Sequence, residues 1–172
     1  MEPTIDGKTF KSGMRRLAAG VTVVATLESN MPHGMVVTST SSVCVEPVPS
    51  LLICINRNAS CHDIITRTRA FCANVLSSTD VELAQRFSSS QHRDKRFEGC
   101  AWTALTTGAP AITSALVSFD CAVSQVIEVH SHTIFVGDVR ELRLWKEDVD
   151  PLLYFEGRYE NFRSMTKRSR SL

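Results

Sequence analysis

The 172-residue chain is 43% apolar and 22% charged, the balance of a globular domain rather than of a disordered or fibrous chain. Nineteen Lys and Arg against eighteen Asp and Glu leave a formal net charge of +1, which argues against a dedicated nucleic-acid binder. No apolar run reaches the ~20 residues that span a bilayer and no secretory leader is visible, so a cytoplasmic protein without a membrane partner is expected.

Taken in chain order, Phe10, Met14, Leu17 and Ala18 recur at helical spacing and predict a short amphipathic helix that Gly20 closes. Val21–Thr26 is rich in β-branched residues and predicts a strand. Residues 29–34 carry turn chemistry, and Met35 through Ser42 are expected to return as a second strand. Pro47 and Pro49 interrupt the ladder before a buried strand over Leu51–Ile55. Ser60-x-x-Asp63 and Thr79-x-x-Glu82 each pair a capping hydroxyl with a first-turn acid and predict two helix starts, with a strand over Phe71–Leu76 between them. Phe119–Val129 and Thr133–Leu144 read as the two arms of a hairpin, and Leu152–Phe155 as one more short strand. About seven strands, paired mostly as hairpins, with three helices predict a mainly β protein: an antiparallel barrel with peripheral helices. One domain over residues 1–162 is expected, followed by a basic, frayed tail over 163–172.

The six cysteines form no C-x-x-C pair, and several lie inside apolar runs, so they are expected to be reduced and core-like rather than a disulfide framework. Cys61-His62 and His130-x-His132 find no second ligand pair at zinc-like spacing, so no metal site is expected. The eight glycines form no G-x-G-x-x-G, no P-loop and no G-x-S-x-G. A nucleotide, if one binds, is not held by the usual strand–glycine loop–helix device.

Thr38-Ser39-Thr40-Ser41-Ser42 is the most unusual run in the chain. Five consecutive hydroxyls belong either on a solvated edge or against a flat ligand with a polar rim, because buried hydroxyls without partners are costly. The stretch from Gly34 through Thr38–Val43 to Pro47 resembles the G-M-T-x-x-S-x-x-S-V-S-x-x-P-P signature of the short-chain flavin reductases, the reductase components of two-component flavin-dependent monooxygenases. Gly20–Val24, Phe71–Leu76 with its F-x-V-N-V-L pattern, Lys95-Arg96-Phe97, Gly108-Ala109-Pro110, His132–Gly137 and Pro151–Phe155 follow in the family's order. Val36, Cys44 and Val48 depart from the pattern.

The resemblance implies a homodimeric flavin-binding split β-barrel. It also implies an NAD(P)H:flavin oxidoreductase that moves a hydride from NADH or NADPH to FMN or FAD and supplies reduced flavin to a separate oxygenase. It places Thr38, Ser39, Thr40, Ser41, Ser42 and Val43 against the flavin ring, and Asn56, Arg57, Ser60 and His62 around its phosphate. Lys95 and Arg96 would close over that phosphate, and His132 and Tyr154 would line the nicotinamide side. Each also has a plainer role: a helix cap for Ser60, a solvated charge pair for Lys95-Arg96, a hairpin residue for His132. No protein acid or base is obligatory for the hydride step. Two other readings stand beside this one. The same fold could hold its flavin tightly for another acceptor, or the basic tail Lys167-Arg168-x-Arg170 could serve an interaction module.

Overall fold

The computed structural model describes residues 5–91 and 93–161. The basic tail expected over 163–172 lies outside the described residues. The chain runs α1 (Gly7–Met14), β1 (Ala19–Gly20), β2 (Thr22–Glu28), β3 (Met31–Val37), β4 (Ser41–Cys44), β5 (Ser50–Asn56), α2 (His62–Thr68), β6 (Ala70–Val75) and α3 (Val81–Ser88). A turn of 3-10 helix over Arg93–Lys95 leads to β7 (Trp102–Ala104), β8 (Pro110–Ile112), β9 (Val117–Val129), β10 (His132–Leu144), β11 (Leu153–Phe155) and β12 (Arg158–Glu160).

Seven strands form one antiparallel sheet in the order β3-β2-β6-β9-β10-β5-β4. No ladder joins its two ends among the described residues, but Ser39, just after β3, reaches β5: its hydroxyl donates to Cys54 O (2.9 Å) and accepts from Cys54 N (3.2 Å). The barrel is split at this seam. Inside it pack Val24, Ile53, Ile55, Phe71 and Phe135, closed at one end by Ile65 of α2. A second cluster, with Val21, Val23, Leu76, Phe87 and Ile112, fills the space under α3 and β8. Residues 21–25 are therefore buried on both faces, which is why that run shows no apolar–polar alternation, Thr22 being its one polar member.

The two long arms β9 and β10 carry two register shifts, at Val136/Gly137 and Val139/Glu141, which bend the hairpin around the core. Gly137 sits at the first. A Cβ there would lie 2.6 Å from Phe71 Cζ and 2.7 Å from Cys121 Cβ, so the close approach admits only glycine.

Several expectations need correction. The turn predicted over 29–34 shrinks to Ser29-Asn30, both with positive φ (51° and 62°), the two-residue geometry that matches strand twist. Pro32 is tolerated inside β3 because β3 is an edge strand. The strand expected to run through Ser42 stops at Val37 and resumes at Ser41, because residues 38–40 cross the seam. Gly20 closes no helix: α1 ends at Met14, and Ala19-Gly20 pairs with Tyr154 and Leu153. None of α1 is buried; Phe10 is 62% exposed. Neither expected capping hydroxyl caps its helix. The N-cap residues are Cys61 and Asp80, without side-chain caps, and Thr79 bonds Ser77 instead. Beyond the seven expected strands, β1, β7, β8 and β12 are short pairings between segments that periodicity left as loops.

No helix among the described residues is long and apolar enough to cross a membrane.

Candidate functional site

Where the sheet fails to close, a cleft of about 1020 Å³ opens. Its floor is the end of β3 and the start of the crossing, Met35 to Ser39. One wall is Cys54 and Asn56 of β5 with the tip of the β9–β10 hairpin, and the other is α1 and the β11–β12 hairpin. Backbone geometry aims these pieces. Positive φ at His130 turns the hairpin tip back over β5, pairing His132 with Asn56, and Arg57 N donates to Ser131 O at 2.9 Å. A second tight turn, Glu156-Gly157 with φ of 50° and 84°, folds β12 onto β11 and sets Tyr154 against Tyr159 at 5.6 Å, ring edge to ring face.

Five of the expected site residues line this cleft: Thr38, Ser39, Asn56, His132 and Tyr154. Asn56 Oδ1 is taken by Asn58 N (2.9 Å), so its amide N–H groups are free to donate. His132 Nδ1 contacts Ser131 Oγ at 2.9 Å, and its other ring nitrogen has no partner among the described residues. Thr38 is exposed and Ser39 is spent on β5. The five hydroxyls thus do not form one wall: Ser41, Ser42 and Val43 belong to β4, whose four residues are all exposed, and they lie off the cleft. Thr40 is different again. Its Oγ1 is buried and has no hydrogen-bond partner among the described residues.

The expected phosphate group is more dispersed. Arg57 and Ser60 are exposed at the end of β5, and Arg57 reaches Glu128 at 3.6 Å. His62 commits both ring nitrogens inside the protein, Nδ1 to Asp63 and Nε2 to Thr133, each at 2.8 Å, with its ring on Phe135. That contact with His62 holds the Asp63 carboxyl below the usual carboxylate range. Lys95 is exposed beside Arg86 and Gln91 in a separate surface hollow. Arg96 is buried, with its guanidinium donating to Gly34 O (2.6 Å) and to Ser89 O, which ties β3 to the loop after α3. Lys95-Arg96 therefore splits into a cation without an ion pair among the described residues and an internal clamp, whose two terminal nitrogens are satisfied by carbonyls while its buried Nε has no partner among the described residues.

Sequence reasoning passed over Phe10, Met14, Tyr159, Arg158 and Ile134 as cleft residues. The helical spacing of Phe10 and Met14 was visible, but nothing in periodicity tells an apolar stripe that faces a cleft from one that faces a core. His130, read as an ordinary turn residue, also lines the opening.

Residues 14–163 match the flavin reductase like domain family. The chain is 34% identical over 160 residues to the FMN reductase (NADH) RutF of Pantoea ananatis, covering 92% of this chain and 82% of that protein. It is 36% identical over 157 residues to the protein of the same name from Pseudomonas syringae pv. syringae, covering 91% and 87%. Among solved structures, the NADH:FAD oxidoreductase of Streptomyces globisporus C-1027 superposes with a TM-score of 0.85 at 29% identity, covering 94% of this chain and 96% of that one. The flavin reductase component of a bacterial two-component tryptophan halogenase does so with a TM-score of 0.82 at 28% identity, covering 91% and 98%. With its split antiparallel barrel and a match over nearly its whole described length, the chain belongs to the flavin reductase like domain family.

Proposed function

We propose that this chain transfers a hydride from NADH to FMN and releases the reduced flavin to a separate flavin-dependent oxygenase, working in the cytoplasm as a homodimer through one domain over residues 1–162. The cleft at the barrel seam carries this reading. Its volume of about 1020 Å³ is at the upper end for a single-ligand site, and its walls are mostly apolar with a few polar groups, so a flat ring and a second ring can share it. The names of the curated relatives support NADH and FMN. The halogenase component among the structural neighbours supports delivery to a partner enzyme. Six unpaired thiols support a reducing compartment.

The residues fit a flavin. Thr40 follows Ser39 of the cleft floor in the chain without itself lining the cleft, and its buried hydroxyl, without a partner among the described residues, would be satisfied by a carbonyl on the ring edge. When bound, the flavin would supply the redox chemistry, as acceptor of the hydride carried by the reduced nicotinamide. What the chain adds is alignment. Met35, Val36 and Thr38 would support the ring and Asn56 would donate from one side; Arg57 and Ser60, exposed just past β5, would receive the phosphate, while Ser41, Ser42 and Val43 on β4 stand outside the ring contact. His132 and Tyr154 place the nicotinamide. Holding two rings in register contributes several kcal/mol, on the order of the effective molarities of oriented reactions.

Absorbance at 340 nm with each nicotinamide and each flavin tests this. NADH consumption that rises with added FMN and saturates at micromolar flavin is expected. Purified protein that oxidises neither NADH nor NADPH with added flavin overturns it. Protein that emerges yellow from gel filtration and ignores added FMN would instead establish a tightly held flavin serving another acceptor.

A further inference from the structure

Helix α1 carries Phe10 and Met14 at the spacing of an apolar stripe, and yet none of its residues is buried. Two stripes on it face cavities. Phe10 and Met14, four apart, line the cleft. Lys11 and Arg15, also four apart and so on one face, line a second cavity of about 480 Å³ together with Met14, Thr38 and Tyr154. Met14, Thr38 and Tyr154 are common to both cavities, so the two are adjacent compartments separated only by those side chains.

The charges in this corner are unevenly matched. Arg16 pairs with Glu156 at 2.7 Å, and Arg158 pairs with Glu160 at 2.7 Å and Glu156 at 3.5 Å. Lys11 and Arg15 have no ion pair and no side-chain hydrogen bond among the described residues, and no acid lines their cavity. Because they sit in the last turn of α1 and just past it, the helix end attracts them and would repel an anion. Any positive charge that meets an anion there comes from these two side chains, with the Thr38 and Tyr154 hydroxyls as neutral donors on the same cavity.

An apolar compartment opening onto one lined by two free cations suits a ligand with a flat ring at one end and closely spaced negative charges further along. We propose that Lys11 and Arg15 form the diphosphate subsite of the dinucleotide hydride donor, whose nicotinamide passes between Thr38 and Tyr154 into the cleft. The proposal rests on the reductase reading above. It also accounts for the missing glycine-rich loop: the diphosphate is met by side-chain cations of an exposed helix instead of by backbone N–H groups.

The shared chemistry is a diphosphate, which FAD also carries, so FMN is the acceptor in the test. Double substitution K11Q/R15Q should raise KM for NADH about tenfold while kcat stays within twofold, the scale of two partly screened ionic contacts. The kcat/KM advantage of NADH over reduced nicotinamide mononucleotide should shrink by the same factor, and K11R/R15K should recover most of it. Lys8→Gln, on the same helix but lining neither cavity, is the control for helix charge. Independently of turnover, calorimetric titration with ADP-ribose, which carries the diphosphate and the adenine but neither nicotinamide nor flavin, should show a roughly tenfold weaker Kd in K11Q/R15Q. An unchanged ADP-ribose Kd overturns the proposal, as does an equal loss for both donors. A loss confined to FAD as acceptor assigns the diphosphate to the flavin and also overturns it. A wild type that binds ADP-ribose through these residues but oxidises no NADH leaves the subsite standing and removes the reductase reading.

Discussion

Asn74 and Thr40 are both polar, both carried on the same curled sheet, and treated in opposite ways. Asn74, in the middle of β6, is fully buried with all its capacity used: Oδ1 accepts from Ile112 N (2.8 Å) and Ser118 Oγ (2.6 Å), and Nδ2 donates to Val23 O (3.2 Å) and Pro110 O (3.1 Å). Ser118 in turn accepts from Trp145 Nε1 at 2.8 Å, so one amide pins β2, β6, β8 and β9 together. Thr40, at the seam, has a buried hydroxyl with no partner among the described residues. A saturated polar node and an orphaned one on one scaffold separate two tasks. The amide that pins four strands finds all its partners within the fold, whereas the hydroxyl left unmatched at the seam is available to a ligand and lowers the stability of the empty protein; Arg96, a clamp with one unmatched Nε, stands between the two.

The largest expected effect lies at the saturated node. Asn74→Ala removes both sets of contacts and strands Ile112 N and the Val23 and Pro110 carbonyls in the core. It should cost about 3–5 kcal/mol of unfolding free energy, read from the urea midpoint at unchanged slope. A loss below about 1 kcal/mol would mean the node is not the pin described above.

Thr40→Val tests the other side at smaller scale. Valine has nearly the same shape and no hydroxyl, so the empty protein should keep its stability within about 0.5 kcal/mol or gain slightly. The Kd for FMN, measured by quenching of flavin fluorescence, should rise about tenfold, because the ring edge loses one buried donor. A fall in stability with unchanged FMN affinity would make Thr40 a scaffold residue and erase the contrast with Asn74.

How much of this was legible in the sequence follows the same division. The hairpin β9–β10 and the strands β5 and β6 were readable because β-branched and aromatic runs between turn residues need a sheet whatever surrounds them. Asn74 stood in a recognisable pattern, but its role depends on Val23, Pro110 and Ser118, which lie 36 to 51 residues away in the chain. The hydroxyl run was visible as an anomaly. That it divides at residue 40, with Ser39 bonded to β5, Thr40 buried and Ser41-Ser42 on an exposed strand, is decided by where the seam falls. Arg96 and His62 have the residue types of phosphate ligands; only the positions of Gly34, Ser89 and Thr133 show them used internally. Short strands such as β1 and β8 exist because their partners do, and propensity carries no information about them.

Asp120 lies between the two extremes and gives the smallest effect. It is fully buried on β9, pairs with Cys72 of β6 in register, and accepts from Thr107 N at 2.7 Å and from Thr107 Oγ1. Burial pushes its carboxyl above the usual carboxylate range; the Thr107 bonds pull it down, and the nearby Glu141 charge adds to the rise. The folded protein therefore holds this proton more tightly than the unfolded chain does. Stability from this group is in place below the ordinary carboxylate value and is lost as pH rises through the raised one. The surface carboxylates Asp6, exposed, and Glu28 and Glu141, half-buried, are shifted the opposite way by their hydrogen bonds, so their contribution to stability is lost as pH falls. Asp120→Asn isolates the first trend from the second. Its amide oxygen can still accept from Thr107 N while its N–H donates to a rotated Thr107 hydroxyl, so the fold should survive. The difference in unfolding free energy between wild type and Asp120→Asn should move against the wild type as pH climbs from the ordinary carboxylate value through the raised one and then level off. If the difference moves the other way, the Thr107 bonds outweigh burial, and Asp120 belongs with the saturated node as a stable anion.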